Sequence, residues 1–352
     1  MSNKQTTIPA YAGMVVFFLV SLLVSACKKT GSETKAKDIA FTAPANFPPP
    51  VYNFAANPVT PAGFELGRKL FYDARLSRDN TISCGSCHQQ FASFIHSAHI
   101  VSHGIDGKLG KRNTPAILNM AWSNDFFWDG GVHQLDLVSP NPISNPVEMD
   151  EQLGNVLTKL RNDAKYPAMF NAAFGSDEIN STRFLQAMSQ FMNMLVSANS
   201  RYDKYVRGEG ATLAADELEG KSLFEQKCSA CHATDLFTDR DFHNNGIQNS
   251  ITDSGRYAIT LNPLDIGKFK TPTLRNLDKT APYMHNGSLA TLQSVLNYYA
   301  NGVNNTSTLD TLLKRNGTIG IAMTESEKAK IIAFLLTLSD GEIIRDPRFA
   351  EQ

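Results

Sequence analysis

The pentapeptide C-x-x-C-H occurs twice in this chain, as Cys84-Gly85-Ser86-Cys87-His88 and as Cys228-Ser229-Ala230-Cys231-His232. Two cysteines at this spacing can form thioethers to the two vinyl groups of one haem, and the histidine directly after them is then placed to ligate the iron from below. A zinc ribbon and a redox-active dithiol are the competing readings. A ribbon separates its cysteine pairs by roughly 15 to 20 residues, far fewer than lie between these two. Neither alternative calls for a histidine directly after each pair. Two covalently held c-type haems are expected.

The fifth cysteine has its own context. Residues Ala10 to Ala26 form an apolar run broken only by Gly13, Ser21 and Ser25, preceded by Lys4 and ending in Val24-Ser25-Ala26-Cys27. That is a bacterial secretory h-region, and small residues directly before a cysteine resemble a lipobox. Residues 1–27 are expected as a lipoprotein signal peptide with Cys27 lipidated. The rival reading is a membrane anchor, because the run is almost long enough to span a bilayer. Either places the rest of the protein outside the cytoplasm, on the periplasmic side of a bacterial membrane, where c-haem is attached. The other four cysteines all belong to haem motifs, so no disulfide is expected despite an oxidising compartment. Residues 28–60 turn from polar to proline-rich and are expected as a tether. The formal net charge of -1 and the lack of a basic run argue against nucleic acid as a partner.

The remainder is long enough for two domains, and it repeats coarsely. Gly67-Arg68-Lys69-Leu70-Phe71 precedes the first haem motif and Gly220-Lys221-Ser222-Leu223-Phe224 the second. Each looks like the amino-terminal helix of a class I cytochrome c domain, whose glycine admits a second helix and whose Leu-Phe pair faces the haem. Thr324 and Glu327 make a capping box, followed by Ile331, Phe334, Leu335 and Leu338 on one helical face. A comparable stripe, Phe184, Met188, Met192 and Leu195, predicts a helix before the second domain, with its methionines as core filling rather than haem ligands. A mainly α protein of two cytochrome c-like domains is expected, residues 61–205 and 206–346, with long loops around the haems.

The stretch Gly67 to Asp73 through the first haem motif, Arg112-Asn113, Phe127-Trp128-Asp129-Gly130, Asn145-Pro146-Val147-Glu148-Met149, the second haem motif and Thr280-Ala281-Pro282-Tyr283-Met284-His285-Asn286-Gly287 follow in order. On these motifs the chain resembles the bacterial di-haem cytochrome c peroxidase, or MauG-like, family from about Pro61 to about Asp346. The resemblance implies two cytochrome c domains facing each other, one haem in each. It makes the first haem the peroxide site, with His88 proximal and Glu148 as the acid-base group. Taken alone, Asn145-Pro146-Val147-Glu148 also reads as an N-cap, an N1 proline and a capping-box glutamate opening a helix. Classical members close the first haem with a distal histidine, but here an ungapped count puts Ile105 at that place. His103 sits two residues earlier and is the alternative axial candidate, with His96 and His99 further off. Where the family carries a glutamine near the peroxide pocket, this chain has Val138.

By the same resemblance His232 is proximal at the second haem, the electron-transfer centre, and Tyr299 stands where classical peroxidases have a methionine and the quinone-maturing member a tyrosine. Met284 is the alternative sixth ligand. Trp128 is implied between the haems as an electron relay, although a tryptophan flanked by phenylalanines is usually core. A calcium ion is implied at Asn113, Thr280 and Pro282, an oxygen-only set that suits it. Three functions remain open. One is reduction of hydrogen peroxide with electrons from a small cytochrome c or cupredoxin; another is MauG-like peroxide-driven oxidation of another molecule; the last is non-catalytic electron carriage on a membrane tether. The family also suggests a homodimer.

Overall fold

The computed structural model describes residues 1–3, 39–248, 252–315 and 317–352, so the expected signal segment and Cys27 lie outside the described residues. The fold is mainly helical. In chain order the helices are α1 (Pro61–Phe71), α2 (Cys84–Cys87), α3 (Pro140–Ser144), α4 (Leu153–Arg161), α5 (Tyr166–Phe174), α6 (Ser181–Asn193), α7 (Arg201–Val206), α8 (Ala215–Lys227), α9 (Tyr257–Thr260), α10 (Leu292–Asn301) and α11 (Glu325–Leu336). Among the described residues, strands are confined to two short antiparallel pairs, β1 (Phe242–His243) with β2 (Phe269–Lys270) and β3 (Lys314–Arg315) with β4 (Thr318–Ile319). Among the described residues, no helix is long and apolar enough to cross a membrane.

The same helix crossing is built twice, and a glycine makes each possible. On α1, a Cβ added at Gly67 would lie 2.0 Å from the Ala187 carbonyl oxygen of α6; on α8, one added at Gly220 would lie 1.9 Å from the Lys330 carbonyl oxygen of α11. Real side chains do not approach backbone oxygen so closely, so only glycine lets these helices touch backbone to backbone. Each crossing carries its haem motif just beyond the first helix. Thr60 caps α1 by accepting from the Gly63 N–H, and Thr324 and Glu327 form the expected capping box of α11.

Two apolar clusters follow. The first gathers Leu66, Leu70 and Phe71 of α1 with Phe184, Met188, Phe191 and Met192 of α6. The second gathers Phe224 of α8, Phe237, Leu296 of α10 and Ile331, Phe334, Leu335 and Leu338 at α11. The chain crosses back at its end. Ile343 and Phe349 join the first cluster, and the Tyr72 hydroxyl donates to the Phe349 carbonyl at 2.7 Å.

From Ile39 onward the segment expected as a tether is packed onto the body. Ile39 and Phe47 are buried, Phe41 stacks on Phe54 at 4.1 Å, and the Trp122 indole N–H donates to the Pro48 carbonyl at 2.7 Å. Proline content suggested free chain, but the aromatics between the prolines bury enough surface to order it. Residues 28–38 lie outside the described residues.

Candidate active site

Helix α2 is itself the Cys84–Cys87 turn of the first haem motif, capped by Ser83 and Ser86, which exchange side-chain and backbone hydrogen bonds. It presents Cys84, Cys87 and His88 to a cavity of about 830 Å³, within the range of a cofactor site. Glu148, Trp128, Met188, Met192, Val138 and Met284 are among its other walls. The His88 Nδ1 bonds the Phe94 carbonyl at 2.8 Å, which sets the tautomer and leaves Nε2 as the lone-pair nitrogen. Burial pulls the imidazole down to about 4, so it is neutral and able to ligate a metal. The second motif repeats the device. His232 Nδ1 bonds the Phe237 carbonyl at 3.0 Å, and burial again lowers its pKa. Burial also pushes the thiols of Cys84 and Cys228 up to about 12 and that of Cys87 up to about 11. Each motif thus sets two half-buried sulfurs beside a histidine oriented through its Nδ1, the donor set that thioether attachment and axial ligation use.

Glu148 does not open a helix. It lies in a turn: its N–H donates to the Asn145 carbonyl at 3.0 Å, the Val147 N–H donates to Asn145 Oδ1 at 3.2 Å, and α4 begins only at Leu153. The capping alternative is thereby removed, because Asn145 spends its side chain on this turn. The Asn145 amide also donates to Glu148 Oε1 at 2.7 Å. Removal from water raises the carboxyl above its usual range, and that amide bond partly offsets the rise.

The loop before Arg112 places its histidines together. The rings of His96 and His99 stack at 4.0 Å, and the His103 ring meets them edge-on at 5.5 and 4.4 Å. The His103 carbonyl accepts from Cys87 Sγ at 3.4 Å. Ile105, at the place of the family's distal histidine, is fully buried, and its N–H donates to the Glu148 carbonyl at 2.7 Å. Asn113, Thr280 and Pro282 all line the cavity, and the Asn113 amide donates to the carbonyls of His99 and Ile100 at 3.2 and 3.0 Å.

Trp128 joins the segment after the first haem motif to the segment after the second. Its indole N–H donates to the Asn113 carbonyl at 2.8 Å and its ring stands edge-on to His285 at 6.3 Å. Arg112 clamps the same seam, paired with Asp129 on one side and Asp253 on the other, both at 2.6 Å. On the side of the second motif, burial pushes the Tyr299 phenol up to about 12, partly offset by its hydrogen bond with Asn245. Met284 and Tyr299 converge on one residue, Asn245, whose amide nitrogen is 3.4 Å from Met284 Sδ and 3.3 Å from the Tyr299 hydroxyl.

Several contributors carried no local signal. Asn245 is one, and Lys270 is another: its ammonium donates to the Asp125 carbonyl at 2.7 Å, and burial lowers it to about 8. The carbonyls of Phe94 and Phe237 are a third case, although an aromatic five or six residues after each motif histidine was a visible repeat. His243 bridges Asp239 and Asp310 at 2.8 and 2.6 Å, and their hydrogen bonds raise it to about 9.

With this geometry in hand, comparison with known proteins decides the family. The model of the di-haem cytochrome c peroxidase family matches residues 61–211. The chain is 34% identical over 308 residues to the methylamine utilization protein MauG of Methylorubrum extorquens, covering 85% of this chain and 83% of that one. The chain belongs to the di-haem cytochrome c peroxidase and MauG family. It is also 33% identical over 284 residues to the cytochrome c551 peroxidase of Nitrosomonas europaea, covering 79% and 80% of the two chains. Among solved structures it resembles a MauG-like protein associated with microbial copper homeostasis, with a TM-score of 0.80, 34% identity and coverage of 89% and 99%. Membership of this di-haem family implies two haem c groups, and the two cysteine-histidine motifs are the residues that would hold them.

Proposed function

We propose that this protein is an exported di-haem peroxidase that reduces hydrogen peroxide to two waters, with two electrons from a small cytochrome c or cupredoxin and two protons. The observation that carries the reading is Glu148: a carboxyl drawn out of water, on the wall of the cavity that also receives Cys84, Cys87 and His88. When bound, the haem supplies an iron that takes up peroxide oxygen and electrons. Glu148 accepts a proton from the near oxygen of peroxide and returns it to the far one, so that water leaves. Asn145 holds the carboxyl in place. With the His103 ring packed against His99 and His96, His88 would hold the haem and Glu148 would face the peroxide it takes up. Trp128, bonded to Asn113 and edge-on to His285, is suited to pass electrons between the halves. Asn113, Thr280 and Pro282 would hold calcium at the seam, and lipid on Cys27 would anchor the protein on the periplasmic side, as a homodimer by family analogy.

Glu148→Gln tests this. Glutamine keeps an oxygen for the Asn145 amide and loses the proton carrier. The rate with peroxide should fall roughly 10²- to 10⁴-fold with both haems attached and the melting temperature nearly unchanged. An unchanged rate in a folded variant removes Glu148 from the reaction.

Tyr299 favours a second reading, in which peroxide oxidises another molecule in the manner of MauG. A phenolate stabilises oxidised iron where a methionine would favour the reduced state, so equivalents taken from peroxide would be held and withdrawn at the surface. Titrating peroxide-treated protein with a one-electron reductant separates the two readings. Retention of both oxidising equivalents for minutes favours MauG-like oxidation, and rapid turnover with reduced cytochrome c favours the peroxidase.

A further inference from the structure

Asn245 stands two residues beyond His243 of β1, and two separate bonds fix its orientation. Its main-chain carbonyl accepts from the Tyr298 hydroxyl at 2.8 Å. Its side-chain Oδ1 accepts from the Ile247 N–H at 3.1 Å. With the oxygen so assigned, the amide nitrogen is the group that faces Met284 Sδ and the Tyr299 hydroxyl, at 3.4 and 3.3 Å. One NH₂ group has two hydrogens on diverging axes, and here both face the residues that compete for the sixth position of the second haem.

We propose that Asn245 is a positioning residue for the second haem: its amide donates to the Tyr299 oxygen, stabilises it as the phenolate ligand, and occupies the sulfur of Met284 with its other hydrogen. A hydrogen bond to an anionic oxygen is about twice as strong as one between neutral groups. The donor therefore holds the Tyr299 oxygen in one place, while a thioether that already accepts an N–H is a poorer ligand. Tyr298 and Tyr299 are adjacent on α10, so the bond from Tyr298 to the Asn245 carbonyl sets the distance between helix and amide. No local pattern marks Asn245, because its role exists only where the chain after β1 meets α10 and the Met284 turn.

The inference rests on Tyr299 as the ligand, and the experiment separates the two. Imidazole binding to the second haem of the ferric holoprotein is measured by optical titration, with the phenolate-to-iron absorption and the electron paramagnetic resonance spectrum as signatures. Asn245→Asp keeps the acceptor for the Ile247 N–H and removes both donors; Asn245→Leu removes donors and acceptor without adding charge. Each should bind imidazole at the second haem about tenfold more tightly than the parent, since the competing phenolate has lost a charge-assisted bond. Met284→Leu should leave that affinity unchanged. Parental imidazole affinity and absorption in a folded Asn245→Asp protein overturn the inference. If instead Tyr299→Phe leaves the resting spectrum of the second haem unaltered, the ligand assignment itself has failed.

Discussion

Single residues carry the chemistry because the fold removes them from water in defined company. Burial raises the Glu148 carboxyl above its ordinary value. In the proposed reaction the carboxyl must be ionised to accept the peroxide proton, so the rate should climb with pH through a value above the ordinary glutamate range near 4.3. A pH profile of kcat/KM should show that acid limb in the parent, and Glu148→Gln should lack it. Asp203 shows the opposite balance. Burial alone would raise its carboxyl, but the Arg275 guanidinium, bonded to both oxygens at 2.8 and 2.7 Å, together with hydrogen bonds from Ser200 and Asn46, outweighs it and the net shift is downward. Stability from this pair is complete above the unfolded aspartate value near 4 and is lost as pH falls through the lower folded value. Because both side chains are fully buried, Asp203→Ala strands a cation. Chemical denaturation should show a loss of about 3–5 kcal/mol, with little of the parent's acid sensitivity left at this site.

At the scale of elements, the two glycine crossings are the parts that each half cannot do without. Gly67→Ala and Gly220→Ala each push a methyl into a facing carbonyl, so the helices must separate or tilt. Overpacking of this kind costs about 1–3 kcal/mol or more. Each variant should lower the melting temperature and loosen the haem of its own half, read as a change in that haem's absorption alone. If both haems respond equally to either change, the crossings do not act as separate supports. Elements also show where local patterns mislead. The α11 capping box and the apolar faces of α6 and α11 were legible, since helical periodicity and caps are written within four residues. The supposed helix at Glu148 was not, because Asn145 can bond an adjoining turn as readily as a helix end, and only the surrounding chain decides between them.

For the molecule as a whole, the amino-terminal arm and the carboxyl-terminal tail tie the halves together. Phe47 of the arm lies under the Arg275 guanidinium at 4.5 Å, while Pro48 receives the Trp122 indole hydrogen. Removing residues 1–50 should uncover Trp122 and Arg275. Three apolar side chains, Ile39, Phe41 and Phe47, are worth about 1.5–3 kcal/mol each when fully buried. A loss on the order of 5 kcal/mol should lower the melting temperature by about 10 °C, with both haems still attached. An unchanged melting temperature would return this segment to the role of a free tether.

What the sequence determined by itself is covalent and local: two haem attachment turns, the histidine after each, the helix pairs around them, and through ordered motifs the family. These signals survive in one dimension because bond geometry and helical periodicity act over a few residues. The tertiary structure alone decided the rest. It seated the arm on the body, gathered His96, His99 and His103 into one cluster, set Glu148 in a turn on the cavity wall, and brought Asn245 between Met284 and Tyr299. The histidine cluster and the Glu148 turn are close in sequence but take their shape from the chain packed around them, whereas the arm and Asn245 meet partners tens of positions away, through burial and hydrogen bonds made only after the chain has folded.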